Sequence, residues 1–228
     1  MRPTRAATAL AAAATLALTL SSCGTHPGDA ARVGSKPIGT AHLDEVATAL
    51  CSAQARNQQA GTTQVQSSRS NRELALGVLI DSQLSTAYGD AFGVRPSRAQ
   101  LENAATSRQQ LVASVPEKYR ATLSKTLADL DKSQLTMAEA GRRQLQRSGA
   151  KNITAQTAIP AGLKARDAWV SKHLDVSVDP RFGTFRNGQL RAGGGSLSAP
   201  VSARAVAGAK TQPAASWVAS LPGSQKCS

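Results

Sequence analysis

The chain has 228 residues, a formal net charge of +13 and a hydrophobic content of 41%, but only 3% of its residues are aromatic. This length suits one domain with a tail, since domains usually contain about 100–200 residues. Ala supplies much of the hydrophobic content, so the composition favours a mainly helical fold over an all-β sandwich. The scarcity of aromatic residues also argues against a base-stacking nucleic-acid binder, and no nucleic-acid partner is expected.

The first 23 residues have the layout of an export leader. Arg2 and Arg5 precede an uncharged apolar run over 6–20, which is shorter than the ~20 residues that a membrane span needs. Small residues then lead to Cys23 in the sequence Leu-Ser-Ser-Cys. Residues 1–22 are therefore predicted to be a signal peptide.

The cysteine at the cleavage point resembles the lipobox of bacterial lipoproteins. The resemblance implies that Cys23 receives a diacylglycerol on its sulfur, becomes the new N-terminus and is N-acylated, which would anchor the chain on the extracytoplasmic face of the cell membrane. The alternative is an ordinary secretory peptide in which a cysteine happens to occupy this position.

The mature chain would remain strongly basic. Removal of residues 1–22 leaves 25 basic against 14 acidic residues, a net charge of +11. For an exported protein, the polyanions within reach are anionic lipids, cell-wall polymers and acidic segments of other proteins. The alternative is that the charge serves only solubility.

Two cysteines remain once Cys23 is lipidated, namely Cys51 and Cys227. Export places them in an oxidising compartment, so we expect a disulfide between them. Two free or buried thiols, or intermolecular pairing, are the alternatives.

The predicted elements follow a polar tether over 23–30. Residues 31–38 read as a short strand or extended arm with Val33 and Ile38 as apolar contacts, and Thr40 caps a helix. Helical spacing and helix-start residues predict further helices at about 71–87, at 97–113, from Pro116 through Leu145, and at 162–174, with 57–68 as a loop and 152–162 as a connector.

The C-terminal part contains one predicted strand and a long polar stretch. Val176–Val178 alternates like a strand before Asp179 and Pro180 turn the chain. Residues 191–228 form a low-complexity tail, Gly-, Ser- and Ala-rich up to 213, whose end could dock again through Trp217, Val218 and Leu221.

Two short motifs carry a family resemblance. The arm has the form Ala-x-Val-x-x-x-x-Ile and resembles the N-terminal region of SurA-type periplasmic chaperones. The strand that closes such N-terminal domains is similar to a second motif of this chain, Val176-Ser-Val-Asp179-Pro180-Arg181-Phe182-Gly183. The resemblance covers about 31–185, in the form found in lipoproteins of high-GC Gram-positive bacteria. It implies a helical domain over 31–190 with a short two-stranded element that pairs the arm with a strand near 176–186.

The chain departs from the isomerase members of that class, which carry an inserted parvulin domain of about ninety residues. Only the connector separates the last two helices, so no such insertion fits. No pair of the three histidines has metal-ligand spacing, and no nucleophile or phosphate-loop motif is present. We therefore expect no enzymatic activity, no metal, no cofactor and no small-molecule substrate.

Two functions remain open. The first is chaperone-like binding of unfolded or extended exported polypeptides in an apolar groove; the second is a scaffold lipoprotein that docks one specific envelope partner. Asp179 to Phe182 is expected to act as a structural turn, and Trp169 as a core residue. Arg142, Arg143 and Arg147 are expected to form a solvated face, with a client or membrane contact as the functional alternative.

Overall fold

The computed structural model describes residues 27–59, 65–191, 202–210 and 213–227. These residues form a mainly helical domain with a small antiparallel sheet, which confirms the predicted fold class. The helices are α1 (Thr40–Gln59), α2 (Ser68–Phe92), α3 (Arg98–Ser114), α4 (Glu117–Arg147), α5 (Ala155–His173), α6 (Ala203–Gly208) and α7 (Ala215–Ala219). The strands are β1 (Asp29–Val33), β2 (Lys36–Gly39), β3 (Val176–Val178), β4 (Thr184–Arg186) and β5 (Gln189–Arg191).

The N-terminal arm is a hairpin rather than the single extended segment expected from the sequence. Gly34, at a φ of 57°, lies in the turn that folds β2 back onto β1. The other edge of β1 pairs antiparallel with β3, with Ala31 opposite Val178. The early arm and the late strand therefore meet, but in a three-stranded sheet of order β2-β1-β3. Because β1 begins at Asp29, this sheet also takes in the end of the predicted tether.

The start of α5 corrects the predicted connector over 152–162. Thr154 and Thr157 form a capping box, and the helix begins at Ala155 with Pro160 inside it. A proline lacks the N–H that would bond the carbonyl four residues earlier, and its ring crowds that carbonyl. Here that carbonyl belongs to Gln156 in the first turn, so the disturbance stays at the helix end and α5 continues through it.

The core lies where α1, α2 and α5 pack against the sheet. Its fully buried members share small or aliphatic side chains and include Ala30, Ala31, Ile38, Leu43, Val46, Leu76, Ile80 and Leu84. A second cluster joins α1 to α3 and α4 around Ala49, Val115 and Leu123. A third cluster lies around Tyr88, Val94, Met137 and Ala140.

The C-terminal segment returns to the body of the domain. Within the region predicted as a flexible tail, Ala203–Gly208 instead form the helix α6, which Ser202 caps. The Trp217 indole donates to the Arg204 carbonyl over 3.0 Å and lies against Gly208, while Val218 and Leu221 are buried. Trp217 and α6 therefore pack against each other within the described parts of this segment, 202–210 and 213–227.

Candidate functional site

The predicted lipidation residue Cys23 lies outside the described residues. Cys51 and Cys227 form a disulfide with a Cα–Cα distance of 5.1 Å, within the 4.4–6.8 Å usual for such bonds. The Cys227 N–H also donates to the Gln66 carbonyl over 2.9 Å, and the backbones of Lys226 and Ser67 form an isolated antiparallel β-bridge. The chain end is therefore attached next to the start of α2.

The residues of the family-like motifs hold the sheet together. Val33 and Ile38 are buried, and the Asp179 N–H donates to the Ala30 carbonyl over 2.9 Å, which extends the β1–β3 pairing by one residue. Pro180 and Gly183 belong to the turn that follows, in which the Gly183 N–H donates to the Pro180 carbonyl.

The side chains of this turn are tied locally. Hydrogen bonds from the Arg181 side chain and backbone lower the pKa of the Asp179 carboxyl against the opposing effect of its burial. Phe182 packs against the core, and the Arg181 guanidinium lies 5.7 Å from its ring centre. The arrangement agrees with a structural turn.

A second hairpin, β4–β5, was not anticipated from the sequence. Asn187 and Gly188 form its two-residue turn with φ values of 52° and 76°. This is the geometry that an Asn-Gly turn adopts in tight hairpins, and the Asn-Gly pair between Phe185 and Leu190 was the local signal for it. A Cβ added to Gly188 would lie 2.3 Å from the Asp167 carboxyl carbon, so the turn sits directly on α5.

The hairpin forms one wall of an apolar groove of about 500 Å³. We call it the hairpin groove; its apolar lining comes from Leu74, Gly77, Val78, Leu130, Phe185 and Leu190. Leu74 is 46% exposed, and a Cβ at Gly77 would meet no atom within 4 Å, so the floor of the groove is open. Among the described residues, β5 pairs only with β4, which leaves the outer edge of β5 without a strand partner there.

The acidic residues at the groove are engaged by other side chains. Glu73 pairs with Arg69 over 3.0 Å. Asp81 accepts from Ser133 over 2.8 Å and is ion-paired with Arg166. Because both carboxylates have partners, the surface that the groove offers to a ligand is largely apolar.

Arg166 anchors a buried polar network that sequence patterns do not reveal. Its side chain is 3% exposed, pairs with Asp81 and Asp167, and donates to the Ser85 hydroxyl over 2.9 Å. The Ser133 hydroxyl donates to the Asp81 carboxylate over 2.8 Å, and its oxygen also lies 2.8 Å from the Ser85 hydroxyl oxygen, within hydrogen-bond distance. The network joins α2, α4 and α5 behind the hairpin groove.

A second concavity, of about 560 Å³, lies between the C-terminal parts of α2 and α4. We call it the aromatic recess; it is lined by Tyr88, Phe92, Val94, Ala140, Arg143, Gln146 and Arg147. The ring centres of Tyr88 and Phe92 are 4.6 Å apart, and Trp169 packs edge-on against both at about 6 Å. His173 stacks on Trp169 at 5.3 Å, so Trp169 belongs to this aromatic cluster as well as to the core.

The predicted arginine face borders the aromatic recess. Arg142 and Arg143 both pair with Glu139. Burial opposes ionisation of Glu139, but the hydrogen bonds from the two arginines prevail and lower the pKa of its carboxyl. Burial raises the pKa of the Tyr88 phenol, an effect that the nearby charge of Arg147 partly offsets.

Within the described residues, no helix is long and apolar enough to cross a membrane. In the same part of the chain, no group of three or more His, Cys, Asp or Glu side chains is placed to hold a metal ion. Comparisons with family models, curated proteins and solved structures found no match to this chain.

Proposed function

We propose that this chain is a membrane-anchored extracytoplasmic lipoprotein that binds unfolded or extended exported polypeptides without catalysing a reaction on them. The proposal combines the leader and lipobox-like Cys23 with the resemblance to SurA-type N-terminal domains. The single observation that carries the binding function is the open hairpin groove.

The groove has two properties that suit an extended peptide. Its floor and walls are largely apolar, so alternate side chains of a bound strand can leave water there, with a gain of about 25 cal/mol per Å² of apolar surface buried. Gln189 and Leu190 of β5 line the same groove, and among the described residues the outer edge of β5 is free to hydrogen-bond the backbone of an added strand. Apolar contact with backbone pairing favours extended apolar segments with little dependence on sequence.

The test is peptide binding, measured by fluorescence anisotropy with a labelled 12-residue peptide in which Val and Leu alternate with Ser. Leu74→Glu places a charge in the groove, and Gly77→Leu fills its open floor. Each variant is expected to weaken binding by roughly tenfold or more, since a lost leucine-sized contact costs about 1.5–3 kcal/mol. Val206→Glu is the matched control, because Val206 is 49% exposed on α6 and outside the groove.

The two groove variants should also suppress the aggregation of an unfolded client less well than the unaltered chain and Val206→Glu do. Binding that is equal in Leu74→Glu, Gly77→Leu and the unaltered chain would contradict the groove as the site. Failure of the unaltered chain to bind any extended peptide would contradict the function itself and favour a scaffold that docks one specific partner.

A further inference from the structure

We infer that the aromatic recess is a second polypeptide-binding site, selective for segments in which a carboxylate lies next to an aromatic side chain. The inference rests on the proposed polypeptide-binding function and adds the chemical class of a second ligand. The recess has no lining residue in common with the hairpin groove, so the two sites can be tested separately.

The recess concentrates a residue type that the chain otherwise almost lacks. The sequence contains two Trp, two Tyr and three Phe, and three of these seven residues meet in one cluster at the recess. Phe92 is 52% exposed although it is among the most apolar side chains of the chain. A further ring can pack against it in the edge-to-face or offset geometry that aromatic pairs prefer.

The rim of the recess has an excess of positive charge. Arg142 and Arg143 share the single carboxylate of Glu139. Arg147 donates through Nε to the Arg143 carbonyl over 3.2 Å, and among the described residues no carboxylate lies within ion-pairing distance of it. An incoming carboxylate can therefore bind Arg147 without displacing an internal ion pair, in the bidentate manner that arginine favours.

The size and shape of the recess favour a side chain over a membrane. Its volume of about 560 Å³ falls within the range of concave ligand sites. A bilayer surface is flat on this scale and would contact the exposed rim rather than the Tyr88 ring, which is 8% exposed. An aromatic residue followed or preceded by Asp or Glu matches both the floor and the rim.

The experiment uses the full chain, purified in detergent, and three labelled nine-residue peptides that contain Asp-Phe, Asn-Phe or Asp-Ala in a Gly/Ser background. Anisotropy at low salt should give the Asp-Phe peptide the highest affinity. Phe92→Ala is expected to weaken its binding by about tenfold, and Arg147→Gln by about threefold. Arg98→Gln is the matched control, since Arg98 is an exposed arginine on α3 that does not line the recess.

The decisive quantity is the coupling energy between Arg147 and the acidic residue of the peptide. In Arg147→Gln, the preference for Asp-Phe over Asn-Phe should disappear, because the charge pair that creates it is gone. Equal affinity of the unaltered chain for Asp-Phe and Asn-Phe would overturn the inference. So would a preference that survives in Arg147→Gln.

Two further measurements separate the alternatives. Vesicles that contain phosphatidylglycerol test for a membrane site: vesicle binding that needs Phe92 and Arg147, with no binding of the Asp-Phe peptide, would overturn the inference. The alternating Val/Leu peptide tests the hairpin groove independently. If it still binds while the Asp-Phe peptide does not, the second site is wrong and the proposed function stands; the reverse result supports the second site and contradicts the groove.

Discussion

Gly141 of α4 and Ala158 of α5 are in backbone-to-backbone contact. A Cβ added at Gly141 would lie 1.8 Å from the Ala158 carbonyl oxygen, and one at Gly162 would lie 2.0 Å from the Met137 carbonyl oxygen. No side chain fits between the two helices at these points. The pair of glycines therefore sets how closely α4 and α5 approach, and with it the position of Arg166 one turn further along α5.

This contact makes Gly141→Ala strongly destabilising. The added methyl group meets backbone rather than a flexible side chain, so the helices must separate, at a cost of about 3 kcal/mol in the free energy of unfolding. Gly77→Ala is the matched control, since its Cβ would enter open space; we expect a gain of about 0.5–1 kcal/mol from helix propensity. Urea unfolding followed by circular dichroism measures both, and equal effects would contradict the account.

Local features of the sequence predicted the fold better than they predicted the sites. Ser97 and Pro116 mark helix starts because capping depends on a few neighbouring residues. The Asn187–Gly188 turn is an equally local signal, but no hairpin was predicted there. Pro160 misled the prediction of α5, because its distance from the helix start decides whether a proline ends a helix.

The remaining features depend on contacts between distant parts of the chain. Arg166 and Asp81 are 85 residues apart, and nothing in the sequence around either of them distinguishes the pair from solvent-exposed charges. The aromatic recess likewise joins the end of α2 to the end of α4. Periodicity identifies the inner face of each helix, but it does not reveal which helices pack against each other or at which positions along their lengths.

The buried network gives a second stability prediction. Asp81→Ala leaves the buried Arg166 guanidinium with Asp167 as its remaining carboxylate partner. Because the Asp81 side chain is 35% exposed and Asp167 stays in place, we expect a loss of about 1–3 kcal/mol in the free energy of unfolding. Asp129→Ala is the control on α4, because it removes an exposed pair with Lys125 and should cost less than about 0.5 kcal/mol. A loss for Asp81→Ala no larger than that of the control, in thermal or urea unfolding, would show that the network is not stabilising.

The turn after β3 should contribute an acid-sensitive part of the stability. The pKa of Asp179 is lowered from its ordinary value of 3.8 in the folded chain, mainly by the Arg181 side chain, against the effect of burial. A carboxyl whose pKa is lowered in the folded state stabilises the fold at pH values above its pKa in the unfolded chain. This stabilisation is lost as the pH falls through the folded-state pKa. Asp179→Asn, which keeps an oxygen for the Arg181 N–H, should therefore lower Tm at pH 6, and the difference from the unaltered chain should shrink as the pH falls below 3.8.

Asp175→Asn is the control for this pH series. Asp175 is exposed and forms no ion pair among the described residues. Its variant should leave Tm at pH 6 close to that of the unaltered chain, since no ion pair is lost. A constant difference in Tm between Asp179→Asn and the unaltered chain at every pH would mean that the charge of Asp179 is not involved.

Membrane anchoring is tested at the lipobox-like cysteine. We predict that Cys23→Ala either releases the protein from the membrane fraction or leaves an uncleaved precursor, because the acyl chains attached there would be the anchor. Cell fractionation, with mass spectrometry of the N-terminus, measures both outcomes. Cys23→Ala protein that is processed, acylated and still found in membranes would contradict the lipoprotein assignment.

The final prediction concerns the disulfide that attaches the C-terminal segment. Cys51 and Cys227 are separated by 176 residues, and in the chain-entropy model a crosslink over that distance stabilises the fold by roughly 5 kcal/mol. Replacing both with Ala should therefore lower Tm markedly. The Cys227–Gln66, Lys226–Ser67 and Ser224–Ser68 contacts must then hold 213–227 at the start of α2 without the covalent link, so protease should cleave within 202–227 well before it cleaves the long helices. Deletion of residues 202–228 from the double Ala variant is the control: its Tm should match that of the double variant. Unchanged protease resistance and Tm after removal of both cysteines would show that the segment docks through its own contacts and that the disulfide is dispensable.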